Sequence, residues 1–185
     1  AKDSQSLRDT DTLERSRDFN NSGAVMIWTD YDHVVPDWKS LMELGFSGIC
    51  ERAREYKRKH KENGTLNSEM TAFFEGIEIQ YTAIIELIDR MYHTALKQEF
   101  EKAPKIAECL KNLRNGAPSS FYEALQLIYI YFIISESIDS YQVRSLGNGL
   151  DNTLYAFYKN DIASNKITKE DACNYLSYFL MQWSA

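Results

Sequence analysis

With 185 residues, 44% of them apolar and 26% charged, the chain has the composition of one globular domain rather than of a disordered segment. A formal net charge of -6 removes the basic field that nucleic-acid binders present, so DNA and RNA are excluded as main partners. Cys50, Cys109 and Cys173 lie far apart and form no Cys-x-x-Cys pair, which excludes a disulfide framework or zinc knuckle and fits a reducing cytoplasm.

Residues 1–23 are polar, with Leu7, Leu13 and Phe19 as their few apolar tethers, and read as a loosely ordered segment ahead of a helical portion over 24–185. No basic leader feeds an apolar core, and the longest apolar run, 127–134, is far short of the roughly 18 residues that span a bilayer. Neither targeting nor a membrane anchor is expected. After a short apolar run over 24–28, Pro36 and Asp37 mark a helix start, and Trp38, Leu41, Met42, Gly45 and Ile49 recur at helical spacing. This predicts a helix over about 36–61, bent at 45–48. Its second half, ERAREYKRKHKE, could be a nucleic-acid stripe, but Glu51, Glu55 and Glu62 interrupt the positive field and Glu55 pairs with Lys59 at i,i+4. A solvated helix face is the plainer reading.

Asn63-Gly64 ends that helix and Ser68 can cap the next, whose stripe is Phe73, Ile77, Tyr81, Ile84, Ile85, Ile88, Tyr92 and Leu96. Pro104 breaks it, and a short helix over 106–113 closes at Asn115-Gly116. Ser120 and Glu123 form a capping box, after which ALQLIYIYFII is apolar on every side apart from Gln126 and predicts a buried helix over 120–138. Gly147-Asn148-Gly149 allows positive φ and a sharp reversal into a helix beginning near Asp151. Thr168 and Asp171 form another capping box for a helix running to the chain end.

The expected class is therefore all-α. A helix that is apolar all round needs neighbours on all sides, and about five other helices are too few to supply them. The sequence thus predicts a piece of a larger protein whose remaining surface covers helices 120–138 and 168–183.

Several stretches carry a family resemblance. GAPSSFYEALQLIYIYFI, the glycine turn, LDNTLYAFYKNDI and ITKEDACNYLSYFLMQ resemble an ordered set of motifs in glycyl radical enzymes, the pyruvate formate-lyase family. DHVVPDWKSLMELGFSGI resembles that family's Gly-His-xx-Pro-Asp-Tyr element, in the form found in its dehydratase, decarboxylase and lyase branch. Together these cover about 33–183 in the family's order. The resemblance implies the helical N-terminal part of a ten-stranded α/β barrel in which a glycyl radical abstracts hydrogen from a cysteine and the thiyl radical attacks a small polar substrate. A dry, closed site protects such intermediates. It implies a glycyl radical installed by a radical S-adenosylmethionine activase with an iron–sulfur cluster, an anaerobic cytoplasm, the rest of the barrel as partner, and admits a homodimer of the full-length protein. The family's Gly-Cys-x-Glu and terminal Arg-Val-x-Gly-Tyr elements do not occur, so this piece is expected to bind no cofactor and to be inert alone.

Matched residue by residue, the resemblance makes His33, Asp37, Gln142, Arg144 and Asn148 substrate-binding candidates, with His33 donating to a substrate oxygen. The plainer reading makes His33 a capping or core histidine and Asp37 a first-turn acid favoured by the helix dipole. Asn148 stands where the family has arginine, Gly149 is an insertion and Asp32 replaces a glycine, so no known substrate carries over. His60, His93 and the aromatic residues Tyr155, Phe157 and Tyr158 read as structural, and the three cysteines as small buried hydrophobes. Two rivals stand beside the enzyme: a helical protein–protein interaction module without catalysis, and a metal-dependent hydrolase using Asp30, Asp32, His33 and Asp37.

Overall fold

The computed structural model describes residues 21–22, 35–138, 145–147 and 149–183. Contacts divide the chain after Val34, and the second unit, Val35–Ala185, holds the elements below. Among the described residues there are six helices and no strand: α1 Trp38–Glu62, α2 Ser68–Ala95, α3 Ala103–Asn115, α4 Phe121–Ile138, α5 Leu150–Ala163 and α6 Lys169–Trp183. The expected all-α class is the class found.

Asp37 caps α1 by accepting the Ser40 N–H at 3.0 Å, and the helix buries Trp38, Leu41, Met42, Phe46, Cys50 and Ala53 at helical spacing. The expected bend falls at Gly45, whose φ of 65° and ψ of -178° interrupt the helix. A Cβ there would lie 2.2 Å from the carbonyl oxygen of Gly116, so the break admits the turn between α3 and α4. The charge run behaves as a helix surface: Glu55 pairs with Lys59 at 2.6 Å and Arg58 with Glu62 at 2.6 Å, while Lys57 reaches Glu75 on α2 at 3.1 Å.

Two expected boundaries move. The cap of α2 is Asn67 rather than Ser68, because Asn67 has the extended backbone of a cap and its side chain accepts the Met70 N–H at 2.8 Å. Pro104 does not end α2, which stops at Ala95; it opens α3, where a missing N–H costs no helical hydrogen bond. The α2 stripe holds from Ile77 to Tyr92 with Ile88 fully buried, but its ends differ: Phe74 is buried while Phe73 and Leu96 are exposed.

The apolar helices behave differently from one another. The chain itself covers most of α4, burying Phe121, Ala124, Leu125, Leu127, Ile128, Ile130 and Phe132 against α1, α3, α5 and α6. The expectation that α4 lacks neighbours is thus corrected over its first two-thirds, since a kinked α1 and the flanking short helices close around it. Full burial of side chains such as Leu127 and Ile128 contributes roughly 1.5–3 kcal/mol each. Only its end opens out, with Ile133 and Ile138 exposed. On α6, Ala172 and Phe179 are buried, but Tyr178, Leu180 and Met181 are 63%, 54% and 64% exposed, so the uncovered face expected for this helix is present.

Candidate functional site

Two stretches singled out by sequence, the Pro36-Asp37 helix start and the glycine turn, meet in the structure. They line a cleft of about 540 Å³ whose walls include Val35, Asp37, Trp38, Leu146, Gly147 and Phe157. The Trp38 indole N–H donates to the Ser145 carbonyl at 3.1 Å across 107 residues of sequence. Gly147 has a φ of 60°, and a Cβ there would stand 2.8 Å from Val35 Cγ1. Positive φ was expected of this turn, and the close approach of Val35 adds a second requirement for glycine.

Asp37 is the one candidate ligand-binding residue that the description includes; His33, Gln142, Arg144 and Asn148 lie outside the described residues, as do Asp30 and Asp32. Asp37 is exposed at the rim of the cleft. Hydrogen bonds from Ser40 hold its carboxyl below the usual carboxylate value, with the nearby cations Arg52 and Lys39 acting in the same direction. Arg52 in turn donates to the Ser40 hydroxyl at 3.1 Å. The side chain therefore serves as the cap of α1, one position earlier than the first-turn role considered from sequence.

Two buried acids fix the α3–α4 corner. Glu123 accepts from Asn112 at 2.8 Å and from the Ser119 N–H and hydroxyl at 2.7 and 2.9 Å, while Ser120 caps the Glu123 N–H at 3.2 Å. Half of the expected capping box is present, and the reciprocal donor to the Glu123 carboxylate has moved from Ser120 to Ser119. Asp161 on α5 accepts the Phe121 N–H at 2.7 Å, capping α4 from 40 residues away. Sequence reasoning missed this role because no local pattern announces a donor so distant. The box at α6 forms fully, with the Asp171 carboxylate accepting the Thr168 N–H at 2.8 Å and the Thr168 hydroxyl accepting the Asp171 N–H at 3.1 Å.

A second cleft of about 620 Å³ lies between α3, α4 and α6. Lys105 stands over the rings of Tyr122 and Tyr175, at 4.7 and 4.3 Å, and donates to the Tyr175 hydroxyl. The arrangement pins α3 to α6. Burial pushes the Tyr122 phenol up to about 12, so it stays protonated. The cysteines divide: Cys50 and Cys109 are buried as expected, but Cys173 is exposed on α6 and corrects the expectation for it. His60 sits against Thr65 at 2.8 Å and His93 near Asp89 at 3.6 Å, both in structural settings. Tyr158 packs edge-on to Phe121, and Tyr155 is exposed.

Residues 7–185 match the protein-family model described as pyruvate formate lyase-like. The 4-hydroxyphenylacetate decarboxylase glycyl radical subunit of Clostridioides difficile strain 630 is 28% identical over 178 residues, covering 86% of this chain and 20% of its own length. The (2S)-3-sulfopropanediol dehydratase of Klebsiella oxytoca is 24% identical over 148 residues, which is 76% of this chain and 18% of that protein. Among solved structures, a glycyl radical enzyme from Archaeoglobus fulgidus superposes with a TM-score of 0.67 at 25% identity, over 78% of this chain and 20% of the other. A structure described under 1,2-propanediol dehydration in Roseburia inulinivorans has a TM-score of 0.62 at 22% identity, over 80% and 19% of the two chains, a likeness of fold alone. The chain spans about a fifth of the length of these relatives.

Proposed function

Because the chain belongs to the pyruvate formate lyase-like family, we propose that it is the helical N-terminal part of a glycyl radical enzyme that cleaves a C–C, C–O or C–N bond of a small polar substrate. The observation that carries this reading is the family match over 7–185, joined to a cleft that unites the two motif stretches. In this reading the thiyl radical and the glycyl radical come from parts of the barrel outside this chain, after action by a radical S-adenosylmethionine activase in an anaerobic cytoplasm. This chain's share is binding. His33, Gln142, Arg144 and Asn148 hold substrate oxygens or charge, and Asp37 caps the start of α1. By itself the chain is inactive. The exposed face of α6 then packs on the rest of the barrel.

That same face, Tyr178, Leu180 and Met181, favours one second reading, a helical interaction module without catalysis. Reading the gene beyond the codon for Ala185 separates the two. The enzyme requires a downstream Gly-Cys-x-Glu and a terminal Gly-Tyr loop; a stop codon soon after Ala185 favours the module and contradicts the enzyme.

A further inference from the structure

We infer that the cleft between α3, α4 and α6 seats a carboxylate-bearing backbone segment of the same polypeptide from beyond this chain, an inference that rests on the reading above. Gln126 is the one residue of the ALQLIYIYFII run that is neither aliphatic nor aromatic, and it lines this cleft. It is half-buried, yet its amide makes no hydrogen bond among the described residues. Asn174, facing the same cleft from α6, makes none either. A side-chain amide offers an acceptor and donors side by side; a peptide group answers both at once, whereas a free anion answers only the donors. The occupant that fits Gln126 is therefore backbone.

Charge adds a second requirement. The chain as a whole carries a net charge of -6, but among the described residues that line the cleft Lys102 and Lys105 face a single acid, Asp171. The Asp171 carboxylate is already taken by the Thr168 cap. Neither ammonium forms an ion pair among the described residues; Lys102 stands over the Tyr178 ring at 5.9 Å, and Lys105 over Tyr122 and Tyr175. Of its three N–H donors Lys105 uses one on the Tyr175 hydroxyl. A carboxylate set between the two lysines would accept charge-assisted hydrogen bonds from both.

The source of the segment follows from length. The relatives are about five times as long as this chain, so in the proposed enzyme about four-fifths of the polypeptide is tethered to these helices and lies outside them. A tethered segment docks at an effective concentration that a separate partner has to match in solution. The cleft also differs from the rest of the α6 surface: Leu180 and Met181 do not line it and call for apolar contact alone, whereas its tyrosines, amides and lysines have the mixed chemistry of a specific interface.

The test uses the complete polypeptide carrying this chain, unactivated and without substrate. A short pulse of acetic anhydride, read by mass spectrometry, is expected to acetylate Lys102 and Lys105 at least about tenfold more slowly there than in the 185-residue chain, where both are exposed. Zero-length carbodiimide coupling is expected to join one of the two lysines to an Asp or Glu in a peptide that follows residue 185. An equal mixture of nitrogen-14 and nitrogen-15 polypeptide shows whether the joined peptides come from one molecule. Equal acetylation in the two proteins, protection without such a cross-link, cross-links confined to residues 1–185, or mixed-isotope cross-links to a second copy each overturn the inference. Neither readout involves a radical, so its failure is distinguishable from that of the enzyme reading. A polypeptide that carries the downstream Gly-Cys-x-Glu but leaves both lysines reactive sinks the docking alone, whereas a gene that stops soon after Ala185 removes both.

Discussion

Burial pushes the Cys109 thiol up to about 12, and the negative charge of Glu123 adds to the effect, while Cys50 is 1% exposed. Cys173 stands instead on the outer surface of α6. At pH 8, iodoacetamide is therefore expected to label Cys173 at close to the rate of a simple thiol. Cys50 and Cys109 should react at least about a hundredfold more slowly until denaturant is added; equal labelling of all three, read by mass spectrometry, contradicts the packing described. In sequence the three thiols look alike, because residue type reports hydrophobicity but not which side of a helix meets another helix. Asp161 makes the same point more sharply. Its place on a polar-looking stretch gives no sign that it is 2% exposed and caps another helix. The caps at Ser120 and Thr168 were legible, since both partners lie within one turn of sequence.

Among the elements, α1 shows how a local break serves packing. Gly45→Ala would place a methyl group against the Gly116 carbonyl at positive φ, and is expected to lower stability by about 2–4 kcal/mol, measured by denaturant titration. A loss under about 0.5 kcal/mol would mean that the turn does not press into the kink. The acid caps give a pH signature. Hydrogen bonds from Ser40 lower the Asp37 pKa, and hydrogen bonds from Thr168 lower that of Asp171. A folded-state value below the unfolded one contributes stability that is complete above about pH 4 and disappears as pH falls through the lowered value. Asp37→Asn and Asp171→Asn should each melt below the wild type at pH 7, with the gap closing below about pH 3. Melting gaps that persist unchanged to pH 2 contradict a charge-dependent cap. The bend near Gly45 was readable from glycine spacing. The Asn67 cap was not, because Asn67 and Ser68 are both good cap residues and only the backbone chooses between them.

For the molecule as a whole, the sequence pattern distinguished buried helices from amphipathic ones but not what buries them. The ALQLIYIYFII run was read as needing a surface outside the chain, yet α1, α3, α5 and α6 cover its first two-thirds. Hydrophobicity counts how many sides must be covered; tertiary packing, here of α3, α5, α6 and Trp38 of α1, decides how many the chain covers itself. On α6 the same reasoning held, and Tyr178, Leu180 and Met181 remain exposed. As for the site, the motifs that meet at the cleft could be chosen from sequence because their order matched a family, whereas their contact through Trp38 and Val35 is a tertiary fact. The central claim is that this chain is part of a radical enzyme, and electron paramagnetic resonance addresses it most directly. The complete polypeptide carrying this chain, treated anaerobically with a competent activase, is predicted to show an organic radical signal split by one α-hydrogen. That splitting should collapse when glycine is deuterated at Cα. A polypeptide that yields no such signal under those conditions contradicts the account.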